Sequence, residues 1–381
     1  MGLLQPVATS LRQVVGKSLR AQRDLRRSRE YRKIYGRHDL LRPTPSADFP
    51  LEARRFWERH YGRAGDPIWH RIFANFTGKE DVRFVPHDIF FDEMLPYFNK
   101  MPMRDGYLDK NLPSLLLGGP ESPITSVRRI HDRYYDGNYR RISRNEALAS
   151  ILAGGERQVI KPALTDNGIG ITMLNVSGDK IFHNGRQVTL DELEESHGGD
   201  FIVQSWIHQH PVMAEPHPSS VNTIRLVTFR WDDEIRVLLA FARFGSDGKV
   251  TDNARTGGVC CGIDSDGRLA ATSFDRDGGR HTTHPTTGYD FTRQQSIPNY
   301  AQLCQRAMEL HDRIWHFDLV SWDWAIRDDG QPIFVEFNVR GTAYTYQFAL
   351  GGPMFADQTV EVLERIRDCG GQRSPGRFRP L

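Results

Sequence analysis

Asp323, Glu336 and Asn338 are the residues whose chemistry and spacing stand out first. They lie within residues 319–342, where two apolar, aromatic and β-branched runs flank Asp329-Gly330, a strong two-residue turn signal. With that turn Asp328 faces Gln331, so Asp323 lies opposite Glu336, and Asn338 follows two residues on along the same face. Trp322, Trp324, Ile326, Val335 and Phe337 are expected on the other face, as core. Two carboxylates directly across a hairpin repel each other. An oxygen-only set of this kind suits a hard divalent cation, and Mg²⁺ commonly shares such a site with substrate phosphates. The bland alternative is that one carboxylate faces solvent or pairs with an arginine.

Two further stretches carry charge where apolar residues would be expected. Gln158-Val159-Ile160-Lys161-Pro162 reads as a short buried strand with a lysine at its end. The loop Ala163–Ile171 follows, bearing Gly168 and Gly170, and strand character resumes at Ile171. A P-loop would need a helix after its glycines. A hairpin flap whose backbone N–H groups approach phosphates fits better, although a glycine-bearing turn is more often structural. Arg225 falls inside the apolar run Val221–Phe229. A buried arginine needs a partner, either a protein carboxylate or a bound anion.

Around these residues the chain reads as a mixed helix and strand protein. At 381 residues, with 39% hydrophobic and 26% charged residues, it has ordinary globular composition and room for two or three subdomains. The net charge of +2 excludes a polyelectrolyte binder of nucleic acid by bulk charge. No apolar run spans a bilayer and the N-terminus has no secretory pattern, so a cytoplasmic protein is expected. The four cysteines form no C-x-x-C pair, which suits a reducing compartment. Helices are expected over 50–77, from Asp109 through Leu117, over 144–153, over 298–315 and over about 356–368. Strands are expected at 200–207, 219–229 and 235–244, the last two joined across Asp232-Asp233. Residues 11–42 hold eleven Lys or Arg against three acids. They read as a solvated helix packed by one edge, or as a contact for an anionic membrane or a partner. A chain beginning near Ser46 is expected to stay folded.

In sequence order, Asp109-Lys110, Ile160-Lys161-Pro162 with its flap, Gln204-Ser205-Trp206-Ile207, Ser219–Arg225, and Trp322-Asp323-Trp324-Ala325 ahead of Glu336-x-Asn338 resemble the ATP-grasp superfamily. The likeness covers residues 55–365 and is greatest to the branch associated with sugar transfer and polysaccharide clusters. The resemblance implies an α+β, ATP-grasp fold, two sheet-containing subdomains clamping ATP, with an N-terminal helical extension. It implies ATP and Mg²⁺ as cofactors. Lys110 and Lys161 would hold phosphates, under a flap that includes Asn167, Gly168 and Gly170. Gln204, Trp206 and Ile207 would line the adenine pocket, and Gln209 would reach the ribose. Asp323, Glu336 and Asn338 would hold Mg²⁺. Arg225, with Lys161, Asn222 and Arg340, would serve the transferring phosphoryl and the acceptor. Many relatives carry glutamate where Gln204 stands, and serine and glycines where Asp166 and Asn167 stand.

The expected domains are a basic, partly helical extension (1–45), a helical and mixed subdomain (46–109), a small lid subdomain (110–205), a C-terminal catalytic subdomain (206–370) and a flexible tail (371–381). The expected reaction is ATP-dependent ligation of a small-molecule carboxylate to an amine through an acyl phosphate, in the service of polysaccharide or secondary-metabolite assembly. The alternatives are phosphoryl transfer to a sugar hydroxyl, with His208, His210 or Asp264 available as base, and a nucleotide-binding accessory protein of a glycan-assembly complex.

Overall fold

The computed structural model describes residues 27–119, 121–165, 168–252 and 257–370. Residues 1–26 and 371–381, which hold part of the basic extension and the expected tail, lie outside them, as does Asn167. The chain divides into two compact units, one of residues 1–94, 277–279 and 342–381, the other of residues 95–276 and 280–341.

The first unit is helical. Phe49–Tyr61 is a helix because Phe49, Ala53, Trp57 and Tyr61 recur every fourth residue and are all buried. It stops at Gly62, and a second helix, Ile68–Thr77, buries Trp69, Ile72 and Phe73. The expected single helical region over 50–77 is therefore broken by Gly62–Pro67. The helices Ala343–Leu350 and Thr359–Asp368 complete the unit. The buried Gln347 amide accepts from Val85 N (2.8 Å) and donates to Val85 O (3.0 Å), standing in for a backbone partner. Residues 27–35 form a helix whose Tyr35 is buried, and Tyr31 and Tyr35 pack edge-on against Trp69. Tyr35 and Leu40 are core residues, which argues against the expectation that the chain stays folded without residues 1–45.

The second unit is built on two antiparallel sheets. The first has the order β3-β2-β1-β8-β4-β5-β6-β7. Its strands are β1 (Thr125–Ile130), β2 (Arg133–Tyr135), β3 (Arg141–Ile142), β4 (Arg157–Pro162), β5 (Thr172–Ser177), β6 (Lys180–His183), β7 (Arg186–Val188) and β8 (Phe201–Ser205). The second has the order β13-β12-β11-β10-β9-β14-β15. It comprises β9 (Thr223–Trp231), β10 (Glu234–Phe244), β11 (Val259–Ile263), β12 (Leu269–Phe274), β13 (Arg280–His281), β14 (Leu319–Ile326) and β15 (Pro332–Asn338).

Each sheet has one apolar face covered by helix. On the first, Val127, Ile160, Phe201 and Val203 pack with Ala147, Ile151 and Leu193 of helices Arg144–Ala153 and Leu190–Ser196. Both helices start at capping boxes, Ser143 with Glu146 and Thr189 with Glu192. On the second, Leu226, Ala242, Trp322 and Phe337 pack with Leu303 and Ala307 of the helix Tyr300–His311. Strand alternation then places Lys161 and Gln204 on the other face of the first sheet and Arg225, Asp323 and Glu336 on the other face of the second. The helix expected from Asp109 forms only at Pro113–Leu116, leaving Lys110 in the preceding turn.

Candidate nucleotide and metal site

The β14–β15 hairpin pairs Asp323 with Glu336, as the sequence predicts, but by a different route. The turn has three residues. Arg327 N donates to Gln331 O, and Gly330 takes the left-handed conformation (φ 81). That slips the register by one. A bulge between the pairs Asp323–Glu336 and Trp324–Phe334 slips it back. The bulge also corrects the face assignment. Phe334 joins Trp322 and Trp324 in the core, whereas Val335 packs toward Ile207, Ala325 and Ile333 on the side that carries Glu336.

Arg225 sits beside Asp323 in the β9–β14 register. Its Nε donates to Asp323 Oδ1 (2.8 Å) and its Nη2 to Oδ2 (2.6 Å). Of the two partners the sequence left open, a protein carboxylate or an anion, the structure provides the carboxylate. Arg243 of β10, which sequence reading missed, donates to Asp323 Oδ2 (2.9 Å) and pairs with Asp252 (3.1 Å). Asp252 in turn accepts from the backbone and side chain of Thr223. The signal for Arg243 was available, since it interrupts the apolar run Leu238–Phe244 as Arg225 interrupts its own. The Asp323 carboxyl is fully buried, which alone would raise its pKa, but Arg225 and Arg243 hold it below the usual range. Glu336 is pushed up, first by burial and then by Asp323, against the pull of Lys110 and Lys161.

A cavity lies between the two sheets' uncovered faces, within this unit, and Lys110, Lys161, Gln204, Glu336 and Asn338 line it. Lys161 Nζ donates to Gln204 Oε1 (2.9 Å). That partner is neutral, so burial prevails and the Lys161 pKa falls to about 8. Lys110 Nζ donates to Thr165 O at the base of the flap. The flap joins β4 to β5 as a hairpin, as expected. Gly170 has φ 74, and a Cβ there would come within 2.7 Å of the Pro162 ring; a Cβ at Gly168 (φ 71) would meet Thr251 only at 3.4 Å.

Other sequence-predicted residues lie elsewhere or are already engaged. Trp206 N donates to Arg157 O, and the indole stacks under the Arg157 guanidinium at 4.5 Å. Ile207 is buried in a small apolar cluster. The Gln209 amide donates to Asn222 O (2.6 Å) and accepts from Asn222 N (2.9 Å), so it clamps the start of β9. Asn222 is wholly buried; its amide donates to Met213 O and His217 O and accepts from Ser220 and Gly245 N. Arg340 is exposed beyond the end of β15. His208, His210 and Asp264 do not line the cavity; Asp264 caps its own turn through Asp266 N and Arg268 N.

Among the described residues no three His, Cys, Asp or Glu side chains form a metal cluster. The donor set is two carboxylates and one amide. Asn338 Nδ2 lies 3.5 Å from both Asp323 Oδ2 and Glu336 Oε1. A half-turn of the amide would present its oxygen instead. An all-oxygen set beside two lysines fits a hard cation held together with phosphates.

These features define an ATP-grasp architecture. The chain belongs to the family described as sugar-transfer associated ATP-grasp, which matches residues 125–361. Solved structures to which the chain is similar include the biotin carboxylase domain of the 2-oxoglutarate carboxylase of Hydrogenobacter thermophilus (12% identity, 70% of this chain and 46% of that one, TM-score 0.41). They also include the VanG D-Ala:D-Ser ligase of Enterococcus faecalis (14%, 68% and 60%, TM-score 0.40) and the L-amino acid ligase of Bacillus licheniformis (12%, 72% and 52%, TM-score 0.38). The chain thus spans 46% to 60% of the length of these three. No curated protein matches it.

Proposed function

We propose that this protein is an ATP- and Mg²⁺-dependent ligase that joins a small-molecule carboxylate to an amine through an acyl phosphate, with ADP and phosphate as by-products. The observation that carries the reading is the cavity in which Lys110 and Lys161 face Glu336 and Asn338 across two sheets. Cations on one wall and oxygen donors on the other suit a metal-bound polyphosphate. The family match supports the same reading.

In this reading Lys110 and Lys161 hold the phosphates, and Glu336 and Asn338, backed by Asp323, hold Mg²⁺. When bound, the ion would neutralise charge on the phosphoryl oxygens. Arg225 and Arg243 balance Asp323, which keeps that carboxylate ionised in a buried place. The flap would exclude water from the transferring group. No protein nucleophile is required, and Arg340, exposed at the end of β15, is the acceptor contact we favour. A service to polysaccharide or secondary-metabolite assembly, in the cytoplasm, is part of the same proposal. No observation favours a hydroxyl-directed phosphotransferase, since its candidate bases lie off the cavity.

The test is turnover with MgATP and pools of carboxylates and amines. ADP and free phosphate should form only when both substrates are present. Glu336→Gln should lower metal-dependent turnover at least tenfold, roughly 1.4 kcal/mol of transition-state stabilisation. Unchanged turnover of that variant at limiting Mg²⁺ would contradict the metal assignment.

A further inference from the structure

Among the described residues no carboxylate pairs with the buried cation Arg128. Its side chain is among the largest fully buried ones, at 2% exposure. Nη1 donates to Asn111 O (3.0 Å) and Nη2 to Ser114 Oγ (3.1 Å), and the guanidinium lies over the Tyr139 ring at 4.3 Å. All three partners are neutral, and Nε is buried without a hydrogen bond. Four partly buried arginines of the second unit each meet a carboxylate: Arg225 and Arg243 meet Asp323, Arg230 meets Asp318, and Arg129 meets Glu194. A desolvated guanidinium without an anion is costly, and burial pushes its pKa below the usual arginine value, although Asp109 and Asp136 pull the other way.

Its position says which anion is missing. Arg128 pairs with Ile202 in the β1–β8 register, and Lys161 pairs with the same Ile202 in the β4–β8 register. Arg128 and Lys161 therefore share a cross-strand row and a face, about 10 Å apart at two strand spacings. Arg128 lines the same cavity as Lys110, Lys161 and Glu336. Its bond to Asn111 O also ties it to the residue that follows Lys110. Three cations then surround one cavity whose lining includes a single acid, Glu336.

We infer that Arg128 is a third cationic anchor for the polyphosphate of the bound nucleotide, its fork taking phosphate oxygens that Lys110 and Lys161 do not reach. This rests on the nucleotide site proposed above. A planar guanidinium gives two-pronged recognition of phosphate that neither lysine can give.

The experiment measures binding of MgATP, inorganic tripolyphosphate and adenosine to the full-length wild type, Arg128→Gln and Arg128→Lys. Wild-type protein should bind MgATP and tripolyphosphate. Arg128→Gln should bind both at least tenfold more weakly, as expected for loss of charge-assisted hydrogen bonds, with adenosine affinity kept. Arg128→Lys should fall between the two. A wild-type circular dichroism spectrum shows that a weakened variant is folded, and the lysine variant, which keeps the charge, provides a second reading if the glutamine variant does not fold. Equal MgATP and tripolyphosphate affinity in the wild type and either folded variant overturns the inference, as does a parallel loss of adenosine binding in a folded variant. Failure of the wild type to bind MgATP at all would instead overturn the nucleotide site itself.

Discussion

At the scale of single residues the site is governed by which charges are compensated. Asp323 has two arginines and stays ionised, whereas Lys161 is buried with its hydrogen bond to the neutral Gln204 amide and falls to about 8 despite the pull of Glu336. The folded-state value lies below the ordinary lysine value, so Lys161 is charged below about pH 8 and neutral above it. Phosphates favour the charged form, so MgATP affinity should be full below pH 8 and decline as pH rises through it. Titration calorimetry between pH 7 and pH 9.5 reads this directly. Gln204→Glu supplies the missing counter-charge, raises the Lys161 pKa and should move the decline to higher pH. A decline at the same pH in both proteins would remove Lys161 from the phosphate contact. Arg225 belongs to the compensated class. Arg225→Lys keeps a charge but loses the two-pronged contact to Asp323, and should lower stability by about 1.5–3 kcal/mol, the range for hydrogen bonds to charged groups. Thermal unfolding checks this. An unchanged unfolding temperature with a collapsed turnover rate would mean that Arg225 acts on the substrate alone.

At the scale of elements, glycine and register decide the geometry. Gly170 holds a left-handed backbone against Pro162. Gly170→Ala should therefore reshape the flap and weaken MgATP binding, at a cost of about 1–3 kcal/mol in strain. Gly168→Ala, with only Thr251 at van der Waals range, should be milder. Equal effects in the two variants would show that the Pro162 contact does not set the flap. The hairpin shows what was legible in the sequence. Alternation and the Asp-Gly signal gave the strands and the Asp323–Glu336 pair. They did not give the three-residue turn or the compensating bulge, because a bulge leaves no fixed residue type behind. Phe334 and Val335 exchange faces as a result. Arg225 was legible as a buried cation, but its partner was not, since cross-strand neighbours on non-consecutive strands depend on sheet order. The same reason hid the partner of Arg243 and the row that Arg128 shares with Lys161. Gln209 and Asn222 read as polar groups near a site, and tertiary contacts turned them into a backbone clamp.

At the scale of the whole molecule, the described part of the basic N-terminal stretch is packed against the first unit. Within the described residues Arg27 pairs with Asp92, Ser28 bonds Asp66, and Tyr35 is 1% exposed. Deleting residues 1–45 should therefore destabilise the first unit by at least about 3 kcal/mol, the cost of removing a large buried aromatic. Calorimetry of the truncated chain checks this, and an unchanged unfolding transition would contradict the packing. No helix among the described residues is long and apolar enough to cross a membrane. The account as a whole rests on the claim that ATP activates a carboxylate here. The most direct measurement incubates the full-length protein with MgATP, a carboxylate pool and hydroxylamine in place of the amine. The account predicts carboxylate-dependent ADP, free phosphate and a hydroxamate; ADP accompanied by a phosphorylated hydroxyl acceptor, with neither free phosphate nor hydroxamate, would contradict it.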